Sequence, residues 1–231
     1  MNTHTGLELE FLLDRIRAEV RDTSSLTGRP ALDKRVMQTL RQVPRHAFVP
    51  EELQSSAYAN HPLPIGHGQT ISQPYIVALM TDLIQPRSED VVLEIGTGSG
   101  YQAAILSTLV KQVYSLEIVE SLAEQARERL SRLGYDNVEV RAGNGHFGWP
   151  EHAPYDAIMV TAAASSIPPV LIEQLKPGGR LVIPVGGHDI GQELHVVTKD
   201  ARGRIEARNV LPVIFVPMTG TPAESPETRL Q

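Results

Sequence analysis

From residue 73 onward the apolar and polar positions fall into a repeating order. "QPYIVALMTDLI" reads as a helix, "VVLEI" as a strand, "YQAAILSTLV" as a helix, "QVYSLEI" as a strand, "ESLAEQARERLSRL" as a helix and "NVEVRAG" as a strand. "YDAIMVTAA", "PPVLIEQL" and "GGRLVIPVG" continue the alternation with a strand, a helix and a strand. Strands separated by helices predict a doubly wound, mostly parallel α/β sheet. The strands are continuous apolar runs, the pattern of strands covered by helices on both faces.

The chain on either side of this core follows other periods. Leu9, Leu12, Leu13, Ile16 and Val20 share one helical face, and "ALDKRVMQTLRQ" reads as a second N-terminal helix. Pro44 and Pro50 bracket "RHAFV", which is expected to be extended or turning. Residues 58–72 contain Pro62, Pro64, Gly66 and Gly68 and are expected to form a long loop, of the kind that is usually functional. After Gly187, "QELHVVTKD" and "RIEARNVLPVIFVPM" flank the turn-forming "DARG", which predicts an antiparallel hairpin at the sheet edge. The expectation is one domain over 1–219: an N-terminal helical segment over 1–57, an active-site loop over 58–72, an α/β core over 73–187 and a hairpin over 188–219, followed by a flexible tail over 220–231.

Composition narrows the partners. At 231 residues the chain can bury a sizeable core unaided. A net charge of −6 argues against affinity built on phosphate neutralisation, and with no cysteine there is no disulfide, thiolate nucleophile or cysteine-held zinc. The N-terminus interleaves charges with apolar residues and never reaches the run that a signal peptide or spanning helix needs. A cytoplasmic protein without metal, nucleic acid or membrane is expected.

The densest candidate chemistry lies in "VLEIGTGSGYQ", where Gly96, Gly98 and Gly100 join a strand to a helix at the edge of the sheet. Glycine there either serves a tight turn or lets the backbone approach a ligand. The dinucleotide fingerprint requires a third glycine where Tyr101 stands, and the lysine and hydroxyl of a P-loop are missing. Glu94 just before the loop resembles the acidic position of S-adenosylmethionine-binding methyltransferases, whose ligand carries an ammonium and a carboxylate. Glu117 ends the second strand about 20 residues on, where a carboxylate can accept both hydroxyls of a ribose; alone it would read as a solvated strand end. Asn144, between Gly143 and Gly145, is either an amide acceptor for an adenine amino group or a left-handed turn residue.

With "PLPIGHGQTISQPYIVALM" ahead of that loop and "YDAIMVTAAA" and "LKPGGRLVIPVG" after it, the chain resembles the protein-L-isoaspartate (D-aspartate) O-methyltransferase family from "VPRHAFVPEEL" to "FVPMTG". The resemblance implies methyl transfer from S-adenosylmethionine, with S-adenosylhomocysteine as product, to the α-carboxylate of L-isoaspartyl residues in damaged proteins and peptides. It implies Ser72 as the catalytic hydroxyl. Cofactor contacts are implied for Thr70, Ile71 and Ser72, for Glu94 with Gly96, Thr97, Gly98, Ser99 and Gly100, for Glu117, for Asn144 and Gly145, and for Thr219. Asn144 departs from the family's usual aspartate. Read locally, Ser72 also fits an N-cap for the helix that begins near Pro74. A monomer is expected.

Two other functions fit some of this pattern. A small-molecule or RNA methyltransferase of the same fold shares the glycine loop, yet "VTAAA" lacks the proline and amide that grip a planar amine. A catalytically silent S-adenosylmethionine-binding module would account for Asn144. His61, His67 and His146 lack helical metal-ligand spacing, so surface or packing roles are expected for them.

Overall fold

The computed structural model describes residues 3–187 and 191–220. The helices are α1 (Thr3–Asp22), α2 (Ser24–Thr27), α3 (Lys34–Gln42), α4 (Pro74–Leu83), α5 (Tyr101–Ser107), α6 (Glu120–Arg132) and α7 (Pro169–Glu173). The strands are β1 (Leu63–Gly66), β2 (Gln69–Ile71), β3 (Val91–Ile95), β4 (Gln112–Glu117), β5 (Val138–Ala142), β6 (Tyr155–Val160), β7 (Leu175–Gly187), β8 (Gly191–Lys199) and β9 (Ile205–Val213). "RHAFV" forms a single 3₁₀ turn at Arg45–Phe48.

Seven strands form one sheet in the order β5-β4-β3-β6-β7-β8-β9. The first five run parallel, and β8 and β9 add antiparallel at the edge, as the hairpin pattern predicts. Residues 221–231 of the expected tail and His188–Ile190 lie outside the described residues.

The continuous apolar strands now have a physical reason. Val92, Ala157, Met159 and Val182 point into one core with α1, α3, α4 and α5, while Leu93, Ile95, Ile158, Val160, Leu181 and Ile183 point into a second with Leu171 and Trp149. Alternate residues serve opposite faces and both faces are covered, so every position is apolar. On the larger face, Leu13 and Ile16 of α1 are almost fully buried, each worth roughly 1.5–3 kcal/mol in transfer terms.

Residues 58–72 depart from the expected long loop, because β1 and β2 pair within them as a small antiparallel ribbon. The cause is the turn Gly66-His67-Gly68, all three at positive φ (89°, 53° and 70°). Glycine takes this region without a steric cost, and a histidine there is uncommon.

Candidate active site

The strand order reverses between β3 and β6: from β3 the chain winds outward through β4 and β5, then returns to β6 on the other side. Open α/β sheets bind ligands outside the carboxyl ends of the strands at such a point. Gly96 follows β3 there with φ 97°, and a side chain on it would collide with the hydroxyl of Thr161, which follows β6. That hydroxyl donates to Gly96 O at 2.6 Å, fixing the two strand ends to each other.

Glu117, at the end of β4 and 5% exposed, holds the glycine loop from below. Its Oε2 accepts Gly98 N at 2.8 Å and its Oε1 accepts Val119 N at 3.0 Å. Each oxygen keeps a further lone pair, so an immobilised carboxylate still faces the cleft as a double acceptor for a vicinal diol.

The β1–β2 ribbon forms the opposite wall. A Cβ built on Gly98 would lie 3.3 Å from Ile65 Cδ1, which places Ile65 directly over the glycine loop. His67 Nε2 meets Ser121 Oγ of α6 at 3.2 Å. Thr70, Ile71 and Ser72 then line the cleft. The Ser72 hydroxyl makes no hydrogen bond among the described residues, although its carbonyl does. It is not the helix cap that its local sequence suggests: Pro74 is the first residue of α4 and Gln73 its N-cap, so Ser72 lies one residue too far upstream. Asn60 Oδ1 instead takes Tyr75 N at 3.0 Å, a cap supplied from across the ribbon.

A third wall comes from beyond β9. Val216–Thr219 return to the switch point, where Ala163 N donates to Val216 O at 2.8 Å and Met218 N to Ala163 O at 2.7 Å. The Gln192 side-chain amide anchors this return by accepting from Phe215 N at 2.6 Å and donating to Phe215 O at 3.1 Å.

Ten of the residues that the sequence nominates share this one cleft: Thr70, Ile71, Ser72, Gly96, Thr97, Gly98, Ser99, Glu117, Gly145 and Thr219. Glu94, Gly100 and Asn144 do not line it. Gly100 starts α5 at φ 86°, packed against Leu130 of α6. The Asn144 amide oxygen accepts His146 N at 3.0 Å, and the residue lines a neighbouring cavity with Arg141 and Phe147.

Glu94 is fully buried behind the loop. The Ser115 hydroxyl donates to its Oε2, Thr97 Oγ1 lies 2.6 Å from that hydroxyl, and Oε1 has no partner among the described residues. Burial pushes its carboxyl up to about 8, with the neighbouring Glu117 adding to the rise. Thr161, Ala162 and Met218 also line the cleft, and the sequence reading does not single them out. The signal for the first two is present in "YDAIMVTAA", since a residue just past a central strand lies at the ligand edge of such a sheet.

The donor set fits S-adenosylmethionine. The glycine loop admits a close backbone approach, Glu117 offers a paired acceptor for a ribose, and the orphaned Glu94 Oε1 leaves beneath the loop an acidic group that a cationic ligand would help to ionise. Among the described residues no group of three histidines, cysteines, aspartates or glutamates could hold a metal, and no helix is long and apolar enough to cross a membrane.

Comparison with known proteins agrees with this geometry. The family model for protein-L-isoaspartate(D-aspartate) O-methyltransferase matches residues 26–223. The "Protein-L-isoaspartate O-methyltransferase 2" of Syntrophobacter fumaroxidans is 61% identical over 209 residues, covering 90% of this chain and 85% of its own. A solved protein-L-isoaspartate O-methyltransferase superposes with a TM-score of 0.80 at 27% identity, over 92% of this chain and 66% of that one. A solved Plasmodium falciparum chain assigned to the same activity, in complex with S-adenosyl-L-homocysteine, gives a TM-score of 0.72 at 27% identity, over 90% of this chain and 96% of its own. The cleft and the comparisons lead to one conclusion, that the chain belongs to the protein-L-isoaspartate(D-aspartate) O-methyltransferase family.

Proposed function

We propose that Ser72 positions the α-carboxylate of an L-isoaspartyl residue for methylation in this cleft, with the cofactor held by the glycine loop, Glu117, Gly145, the ribbon residues Thr70 and Ile71, and Thr219. The protein is an S-adenosylmethionine-dependent protein-L-isoaspartate O-methyltransferase, a repair enzyme. S-adenosylmethionine supplies an activated methyl group on a sulfonium. The ester that results closes to a succinimide, whose hydrolysis returns some of the material to normal aspartyl linkage.

The chain's own contribution follows from the chemistry of the nucleophile. An α-carboxyl has a pKa of about 3.3–3.7 and is already ionised at neutral pH, so no general base is required. That agrees with a Ser72 hydroxyl that is hydrogen-bonded to no base among the described residues. Its task is to donate one hydrogen bond and orient the carboxylate, and alignment of this kind can supply about 7–11 kcal/mol in favourable systems. Closure of the ribbon over the bound ligands would exclude water, which otherwise stabilises the separated anion and cation more than their partly neutralised transition state.

The single observation that carries this reading is that Ser72, with its hydroxyl uncommitted among the described residues, lines the same cleft as the glycine loop and Glu117. A monomer acting in the cytoplasm on damaged proteins, with neither nucleic acid nor membrane as partner, belongs to the same reading, and the acidic charge balance supports its nucleic-acid part. Methyl-labelled S-adenosylmethionine is offered with two peptides that differ only in one isoaspartyl or aspartyl linkage. Base-labile label is expected on the isoaspartyl peptide alone, and Ser72→Ala should lower kcat by about tenfold or more while S-adenosylhomocysteine still binds. Label on neither peptide, with cofactor bound, would overturn the reading in favour of a methyltransferase with another substrate or the silent module.

A further inference from the structure

Arg45 is 0% exposed, as is Glu94, and the reaction gives it no role. It sits in the 3₁₀ turn before the ribbon and does not line the cleft. Its Nε donates to Ala57 O at 2.9 Å and one terminal nitrogen donates to Ser72 O at 2.8 Å. The guanidinium carbon lies 5.0 Å from the centre of the Tyr101 ring, and the other terminal nitrogen has no partner among the described residues. No carboxylate forms an ion pair with it there.

A buried charge without a counter-ion is costly unless hydrogen bonds and an aromatic face replace its hydration. Burial lowers its pKa to about 10, so it stays protonated at neutral pH. A fold that merely needed volume at this point would bury an apolar side chain at no such cost. What the guanidinium does that an apolar group cannot is hold two carbonyls at once, one at each end of residues 57–72. A planar fork with fixed donor directions suits that bridge, and an ammonium would not span it.

Building on the role given to Ser72, we propose that Arg45 is the positioning residue for this reaction: it bridges Ala57 O and Ser72 O, and so fixes the ribbon's base and the Ser72 hydroxyl without touching substrate or cofactor.

The test is a double-mutant cycle of Arg45→Met and Ser72→Ala, with kcat and KM measured on an isoaspartyl peptide and S-adenosylhomocysteine affinity measured by calorimetry. Misplacement of a reacting group by about 1 Å can cost on the order of a hundredfold, so Arg45→Met is expected to lower kcat/KM by about tenfold to a hundredfold. S-adenosylhomocysteine affinity should fall by clearly less than kcat/KM, because the glycine loop and Glu117 are held by β3 and β4 and only Thr70 and Ile71 among the cofactor residues ride on the ribbon. In the Ser72→Ala background the same change should cost less than about threefold, since the group that Arg45 positions is gone. Arg45→Lys, which keeps the charge but reaches only one carbonyl, should fall between wild type and Arg45→Met, and it completes the cycle if the Met variant does not fold. Full additivity with Ser72→Ala, or cofactor affinity falling in parallel with kcat/KM, would overturn the proposal. If Ser72→Ala alone leaves kcat unchanged, the role of Ser72 fails by itself, and that outcome is read before the cycle is closed.

Discussion

Glu94 shows how a single side chain can be legible by type while its place in the fold is not. Its position before the glycine loop marks the fold, and the sequence suggests a ligand contact. The structure instead buries it behind the loop, because β3 is covered on both faces and its fourth residue must point into protein. Burial raises the carboxyl from 4.5 to about 8, so the folded protein binds a proton there that the unfolded chain releases. The stabilising contribution of this proton is complete below about pH 4.5 and is lost as pH rises through about 8. Unfolding temperatures of wild type and Glu94→Gln, measured from pH 5 to 9, should diverge as pH rises, with wild type losing more. A constant difference across that range would mean that Glu94 is not the titrating group. Ser72 is the reverse case: its neighbours suggest both a cap and an active hydroxyl, and only the backbone position of Pro74 removes the first.

Among elements, the β1–β2 ribbon is the least legible. Its prolines and glycines announce a loop, and pairing across Gly66-His67-Gly68 depends on positive φ that no local period reveals. Its base is held from a distance as well. Glu19 of α1 accepts Asn60 Nδ2 at 2.6 Å and Gln73 Nε2 at 3.2 Å, and Asn60 in turn caps α4. Loss of a capping side chain typically costs about 1 kcal/mol, so Asn60→Ala should destabilise the fold by roughly that amount in denaturant titration. Amide hydrogen exchange should quicken at 60–75 and little elsewhere. The tip meets the glycine loop through Ile65 and α6 through the exposed His67–Ser121 contact. Exchange at 63–71 should therefore slow when S-adenosylhomocysteine and an isoaspartyl peptide bind together, and unchanged exchange would show that the ribbon does not close over them.

At the scale of the whole molecule the pattern is most legible. The alternation of strands and helices specifies the parallel core, and the terminal hairpin takes its expected place on the edge. What no pattern could show is that the segment past β9 doubles back to the switch point, because the return rests on one buried amide, Gln192, and two backbone bonds at Ala163. Gln192→Ala should weaken S-adenosylhomocysteine binding by about tenfold, from two lost hydrogen bonds of roughly 0.5–1.5 kcal/mol each, with the sheet's circular dichroism preserved. The cleft thus draws its walls from three distant stretches of the chain, and Val216–Thr219 are the last of them to be made. During synthesis the cofactor cradle emerges well before its final wall, so a ribosome-bound chain is expected to stay inactive until Val216–Thr219 have left the ribosome. A protease that cuts the exposed turn at 201–203 and frees the piece beyond it should leave all five parallel strands in place and still silence the enzyme.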